Sequence, residues 1–155
     1  MNINIPGCDT LCLNHLVLDY NGTIARDGKL LSNIGKTLEE LAEHFSIHVL
    51  TADTCGTAEQ ELAGLPCTVH IFTGDEITEQ KERFVHKLGA EQVVCIGNGA
   101  NDRLMLKAAR LGIAVIEGEG SAVCAIQHAD IVARSIYDAM GLLMIPERII
   151  ATLRS

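Results

Sequence analysis

The chain has 155 residues, 48% hydrophobic and 21% charged, enough apolar material for one cored domain and too much for a disordered chain. A formal net charge of -8, with lysine and arginine scattered along the sequence, argues against partnership with nucleic acid or an anionic membrane surface. No run approaches the roughly 20 apolar residues of a membrane span, and MNINIPGCDT lacks the basic-then-apolar pattern of a signal peptide, so a cytoplasmic location is expected.

From the N-terminus, Asn2 to Ile5 and Leu11 to Leu13 read as a hairpin extension (1–15) turning at Pro6-Gly7. Apolar runs then recur at 16–20, 47–51, 69–72, 93–96, 113–116 and, near an edge, 131–133. Runs apolar on both faces suit parallel strands covered by helices. Between them, Ile34, Leu38, Leu41 and Phe45 share one helical face, with Ser32 or Asn33 as cap. Phe84, Val85 and Leu88 mark a second helix closed by Gly89, and Leu104, Ala108 and Leu111 a third closed by Gly112. Residues 135–154 read as two short helices split at Pro146. This alternation predicts a single three-layer, Rossmann-like α/β domain over 1–155, its parallel sheet flanked by helices.

With aromatic residues at 3% and no tryptophan, the core is expected to be Val, Ile, Leu, Ala and Met. The six cysteines, Cys8, Cys12, Cys55, Cys67, Cys95 and Cys124, form no C-x-x-C pair and read as small buried hydrophobes in a reducing compartment. Cys8 and Cys12 would suit a metal site only with a second pair, which is missing. The six histidines show no ligand spacing and are assigned to packing or surface; Asp9, Asp27 and Asp75 read as turn residues.

In an open parallel sheet, reactive groups gather beyond the C-terminal strand ends. The first strand delivers Asp19, then Tyr20-Asn21-Gly22-Thr23; the second delivers Thr51 and Ala52; the fourth delivers Gly97-Asn98-Gly99-Ala100-Asn101-Asp102. Lys81 sits near the start of the helix after the third. A carboxylate that attacks phosphorus, a hydroxyl and an ammonium that hold its oxygens, and a glycine turn whose amides cradle an anion together suit phosphoryl transfer. Plainer readings exist for each: Asp19 as turn former, Thr51 and Asn101-Asp102 as helix caps, Lys81 as a solvated surface lysine. Asp53 and Thr54 read as caps of the next helix.

These four segments, in this order and spacing, resemble the motifs of the haloacid dehalogenase superfamily. LVLDYNGTIA, VLTADTCGT and IGNGANDRLML resemble above all its soluble P-type-ATPase-like phosphatases, over nearly the whole chain. The resemblance implies a phosphatase working through an aspartyl phosphate. Asp19 would be nucleophile and Mg2+ ligand, and Asn21 would offer its backbone carbonyl to the metal. Asn21, Gly22, Thr51, Ala52 and Lys81 would bind the phosphate, Asn21, Thr51 and Lys81 serving catalysis with Asp19, and Asp102, with Asn98 beside it, would complete the metal site. A phosphorylated small molecule or phosphoprotein is the expected substrate.

Two positions depart from that pattern. Asn21 stands where most such phosphatases carry an acid–base Asp, and acid–base help is typically worth roughly 10²–10⁴-fold. Asn98 stands where a metal-binding Asp is usual, and a neutral oxygen weakens Mg2+ binding. The expectation is therefore a slow phosphatase. The competing readings are a catalytically weakened module that binds phosphate or nucleotide, or holds a phosphoryl mark, for regulation, and a receiver-like signalling domain. The D-x-N-G-T turn and the GNGAND loop argue against the last. Neither interval between the motifs has room for a cap domain; 25–30 fits only a short flap hairpin. By the same resemblance the chain is expected to form a homo-oligomer, dimer or tetramer.

Overall fold

The computed structural model describes residues 1–7, 9–52 and 56–154. The readings of Cys8 and Cys55, and of Asp53 and Thr54 as caps, lie outside them. In chain order the strands are β1 (Asn2–Ile3), β2 (Leu11–Cys12), β3 (His15–Asp19), β4 (Ala25–Arg26), β5 (Lys29–Leu30), β6 (Ser46–Thr51), β7 (Thr68–Ile71), β8 (Val93–Gly97), β9 (Leu111–Val115) and β10 (Ile131–Ala133). The helices are α1 (Ile34–Leu41), α2 (Ala58–Glu61), α3 (Ile77–Leu88), α4 (Arg103–Ala108), α5 (Val123–His128), α6 (Ile136–Met144) and α7 (Pro146–Leu153). One 3-10 turn, Ala90–Gln92, precedes β8, and another, Ala100–Asp102, leads into α4.

Six strands form one parallel sheet in the order β10-β9-β8-β3-β6-β7. Successive residues of a strand point to opposite faces, and β3 shows the consequence. Leu16 and Leu18 enter the larger core with Ile34 and Leu38 of α1 and Ile136 and Met140 of α6. Val17 enters the smaller core with Val85 of α3, Met105 and Leu106 of α4 and Ala125 of α5. Asp19 has the parity of Val17 and so faces the α3 layer. The chain runs outward from β3 through β6 to β7, then returns to β8 on the other side of β3. The strand order thus reverses between β3 and β8, the crevice where open α/β sheets bind ligands.

The N-terminal hairpin is present as β1 paired with β2, and the flap as β4 paired with β5. Pro146 opens α7 at its first turn, where its missing N–H costs nothing. Three expectations need correction. Leu111 and Gly112 do not close α4; that helix ends at Ala108, and both residues begin β9, where Leu111 is buried. Asn33 takes the N-cap position of α1 in a left-handed conformation and makes no side-chain cap bond. Of the described cysteines only Cys95 is buried; Cys67 and Cys124 are half-buried and Cys12 is exposed. Among the described residues no helix is long and apolar enough to cross a membrane.

Candidate active site

At the tip of β3 the chain turns sharply, and the amides of Thr23, Ile24 and Ala25 all donate to the Tyr20 carbonyl. Gly22 makes the turn possible with φ +79°, a left-handed conformation glycine adopts without steric cost. Its missing side chain matters as much: a Cβ there would overlap the Asn98 carboxamide.

Five polar residues come together in this crevice, all nine-tenths buried or more: Asp19, Thr51, Lys81, Asn98 and Asp102. Thr23, fully buried, joins them. Lys81 reaches up from α3 and donates to Asp19 Oδ1 at 2.6 Å and Asp102 Oδ1 at 2.7 Å. The backbone amides of Asn98 and Gly99 donate to Asp102 Oδ2 at 3.0 and 2.8 Å. Thr23 Oγ1 lies 3.2 Å from both Asp19 Oδ2 and Asn98 Oδ1. Asn98 Nδ2 donates to the Gly120 carbonyl at 2.9 Å. Asp102 therefore accepts three hydrogen bonds, against two on Asp19 and one on Asn98 Oδ1.

Burial raises the Asp19 carboxyl to about 6, and the neighbouring Asp102 charge adds to this; the Lys81 ammonium and the hydrogen bonds oppose it. Burial also works against the charged form of Lys81, but Asp102 and Asp19 outweigh it and hold the ammonium above the usual lysine range. Two carboxylates sharing one buried cation thus leave the cation charged and one carboxylate easily protonated.

Asp19, Asn21, Thr51, Ala52, Asn98, Gly99, Asn101 and Glu119 line a cavity of about 300 Å³. A larger cavity, about 580 Å³, includes Glu91, Arg110 and Asp130, the residues leading into β8, β9 and β10, at the opposite end of the sheet; it is remote from this chemistry. The motif residues read from the sequence thus converge, and Lys81 is wholly buried rather than a solvated surface lysine. Asn101-Asp102 do open a helical turn, but Asp102 spends its carboxylate on the loop and Lys81. Thr23 and Glu119 were missed. Thr23 stood inside the turn motif; Glu119 follows β9 in a loop that no local pattern marks.

The side-chain oxygens lining the crevice include the Asp19 carboxylate and the Asn98 carboxamide, both hard donors. Such a set suits a divalent cation of the magnesium or calcium kind rather than a soft one. Among the described residues no three His, Cys, Asp or Glu side chains cluster to hold a metal, so any ion here would rely on neutral oxygens.

No protein-family model matches the chain. An uncharacterized protein of Methanocaldococcus jannaschii is 47% identical over 64 residues, 41% of this chain and 69% of that protein. Among solved structures, 3-deoxy-D-manno-octulosonate 8-phosphate phosphatase from Moraxella catarrhalis, in complex with magnesium, phosphate and KDO, superposes with TM-score 0.72. The match covers 93% of this chain and 95% of that one at 14% identity. A Legionella pneumophila protein described as a HAD superfamily (subfamily III A) hydrolase gives TM-score 0.72 over 92% and 87% of the two chains, at 14% identity. The chain has the haloacid dehalogenase fold. Within this haloacid dehalogenase sheet, β3 carries Asp19 at its tip and β8 carries the Asn98–Asp102 loop beside it. A zinc-transporting PIB-type ATPase is also similar, with 27% identity and TM-score 0.62; the match covers 79% of this chain and 20% of that one.

Proposed function

We propose that the chain is a magnesium-dependent phosphatase that works through a covalent phosphate on Asp19. The observation that carries this reading is the buried group in which Lys81 bridges Asp19 and Asp102 beside Thr51 and Asn98, at the sheet's switch point. The magnesium and phosphate in the Moraxella phosphatase structure support the chemistry. The 27% identity to a P-type pump supports likeness to the P-type-ATPase-like group.

In this mechanism Asp19 attacks phosphorus in line and the bond to the leaving group breaks. Water then attacks the aspartyl phosphate, releasing inorganic phosphate and restoring the carboxylate. The Lys81 ammonium, the Thr51 hydroxyl and the backbone amide at Ala52 hold the phosphoryl oxygens, whose charge is spread in the transition state; the Gly22 amide, expected to join them, donates instead to the Ala25 carbonyl at 2.8 Å. Asp19, the Asn21 main-chain carbonyl and Asn98 would hold the magnesium ion, with Asp102 acting through water because its oxygens already serve Lys81 and two amides. When bound, the ion offsets the repulsion between the carboxylate and the phosphoryl group. Asn21 transfers no proton, so turnover is slow.

The test is magnesium with p-nitrophenyl phosphate or acetyl phosphate. Slow, steady product release that Asp19→Ala abolishes supports the reading; fast turnover that survives Asp19→Ala overturns it. One stoichiometric burst, with a lasting phosphoryl mass gain on Asp19, favours instead a regulatory module that keeps its mark. The neutral Asn21 and Asn98 are what recommend that second reading.

A further inference from the structure

The side chain of Asn21 is committed to the flap. Gly28 N–H, in the β4–β5 turn, donates to Asn21 Oδ1 at 2.9 Å. A backbone amide can only donate, so the carboxamide oxygen faces Gly28 and the NH2 group lies on the other side. The flap turn is itself held. The Gly28 carbonyl accepts from Tyr20 Oη at 3.0 Å and Thr57 Oγ1 at 2.9 Å. The preceding amide, Asp27 N–H, donates to Glu119 Oε1 at 3.3 Å. Asn21 and Glu119 both line the 300 Å³ cavity. Two successive flap amides thus donate to two wall residues of the phosphate site.

The proton inventory follows. Among the described residues, the carboxylates lining the cavity are Asp19, the nucleophile, and Glu119, which is exposed and takes the Asp27 amide as an acceptor. Lys81 is tied to two carboxylates and stays charged. Asn21 has hydrogens to share but none to transfer. We infer that Asn21 serves the departing oxygen as a flap-fixed hydrogen-bond donor without proton transfer. The substrates are then activated phosphates, whose leaving group departs as a stable anion: acyl phosphates, phosphoanhydrides and aryl phosphates rather than alkyl phosphate esters.

The inference rests on the phosphatase reading. In the first step the Asp19 oxygen–phosphorus bond forms while the phosphorus–leaving-group bond breaks. The bonding pair leaves on the departing oxygen, which takes its proton, if any, from solvent. In the second step water adds to phosphorus, the Asp19–phosphorus bond breaks, and the water proton goes to solvent or phosphate.

The experiment is a leaving-group series with the full chain and magnesium: acetyl phosphate, p-nitrophenyl phosphate, phenyl phosphate and glycerol phosphate. The wild-type kcat/KM should fall by at least about 10²-fold from p-nitrophenyl to glycerol phosphate, the size of the missing acid's contribution. Asn21→Asp keeps an acceptor for Gly28 N–H and adds a transferable proton. It should raise glycerol phosphate turnover at least about ten-fold more than p-nitrophenyl phosphate turnover. A flat wild-type series overturns the inference and leaves the phosphatase reading standing, and it needs no variant to fold. Selective loss of glycerol phosphate turnover in Glu119→Gln also overturns it, because Glu119 is then the acid. No turnover of any substrate, with no mass gain on Asp19 from acetyl phosphate, overturns both.

Discussion

Lys81 Nζ lies 2.6 Å from Asp19 Oδ1, although 62 positions separate the two residues in the chain. The ammonium is wholly buried and shared with Asp102, so it serves the fold as well as the chemistry. Removing one partner of a buried pair leaves an uncompensated charge and typically costs about 3–5 kcal/mol. Lys81→Met, similar in length, strands two carboxylates together. Urea unfolding should show a loss of that order, and kcat should fall about 10²–10³-fold through the lost oxyanion contact. Unchanged stability would mean that the two carboxylates do not depend on the ammonium.

The protein without divalent cation should carry two opposing pH slopes. Burial raises Asp19 from 3.8 to about 6, so between those values the folded state holds the extra proton and stability falls as pH rises. Burial, then the charges of His70 and His15, lower His48 from 6.5 to about 4. There the unfolded state holds the extra proton, and stability rises with pH over about 4 to 6.5. Relative to wild type, His48→Phe should make the melting temperature fall more steeply from pH 4 to 6, and Asp19→Asn should make it rise more steeply. Thermal melts of the three proteins in chelator decide; slope changes of the same sign in both variants would contradict the assignment.

Gly22→Ala tests the turn. The substitution places a side chain at φ +79° and drives its Cβ into Asn98. Strain of this kind costs on the order of 1–3 kcal/mol, and displacement of Asn98 should weaken magnesium binding as well. Calorimetric titration with the metal, beside a melt, separates the two effects. A variant that melts lower yet binds magnesium normally would show that Asn98 is not held by this contact.

Strands apolar on both faces made the sheet legible, and the turn after Asp19 made the site legible, because both are local patterns. What crosses the sheet was not. His15, His48 and His70, assigned from the sequence to packing or surface, meet on the α3 face, with ring nitrogens 3.3 and 3.4 Å apart and Phe84 against His48 and His70. Their contact depends on a diagonal through the register of β3, β6 and β7, which no spacing within one segment displays. The boundary of α4 failed for a related reason. Leu111 continues a helical period after Leu104 and Ala108, but pairing of Leu111 with Val94 claims it for the sheet. Glu119 and the Gly28–Asn21 bond likewise join segments far apart in the chain or opposite sides of a turn.

Thr23 isolates a single hydroxyl between the two halves of the site. Its one proton serves either Asp19 Oδ2 or Asn98 Oδ1, both 3.2 Å away, and its bond to Asp19 helps hold that carboxyl down. Thr23→Val keeps the shape and removes the hydroxyl, leaving buried acceptors short of a donor at a cost of about 1–3 kcal/mol. Asp19 should then titrate higher than in wild type, and the acid limb of a kcat/KM profile should move to higher pH. If the hydroxyl instead spends its time on Asn98, that limb stays where it is and magnesium affinity changes alone. A pH profile taken at saturating magnesium, set beside a metal titration at one pH, reads which oxygen Thr23 serves.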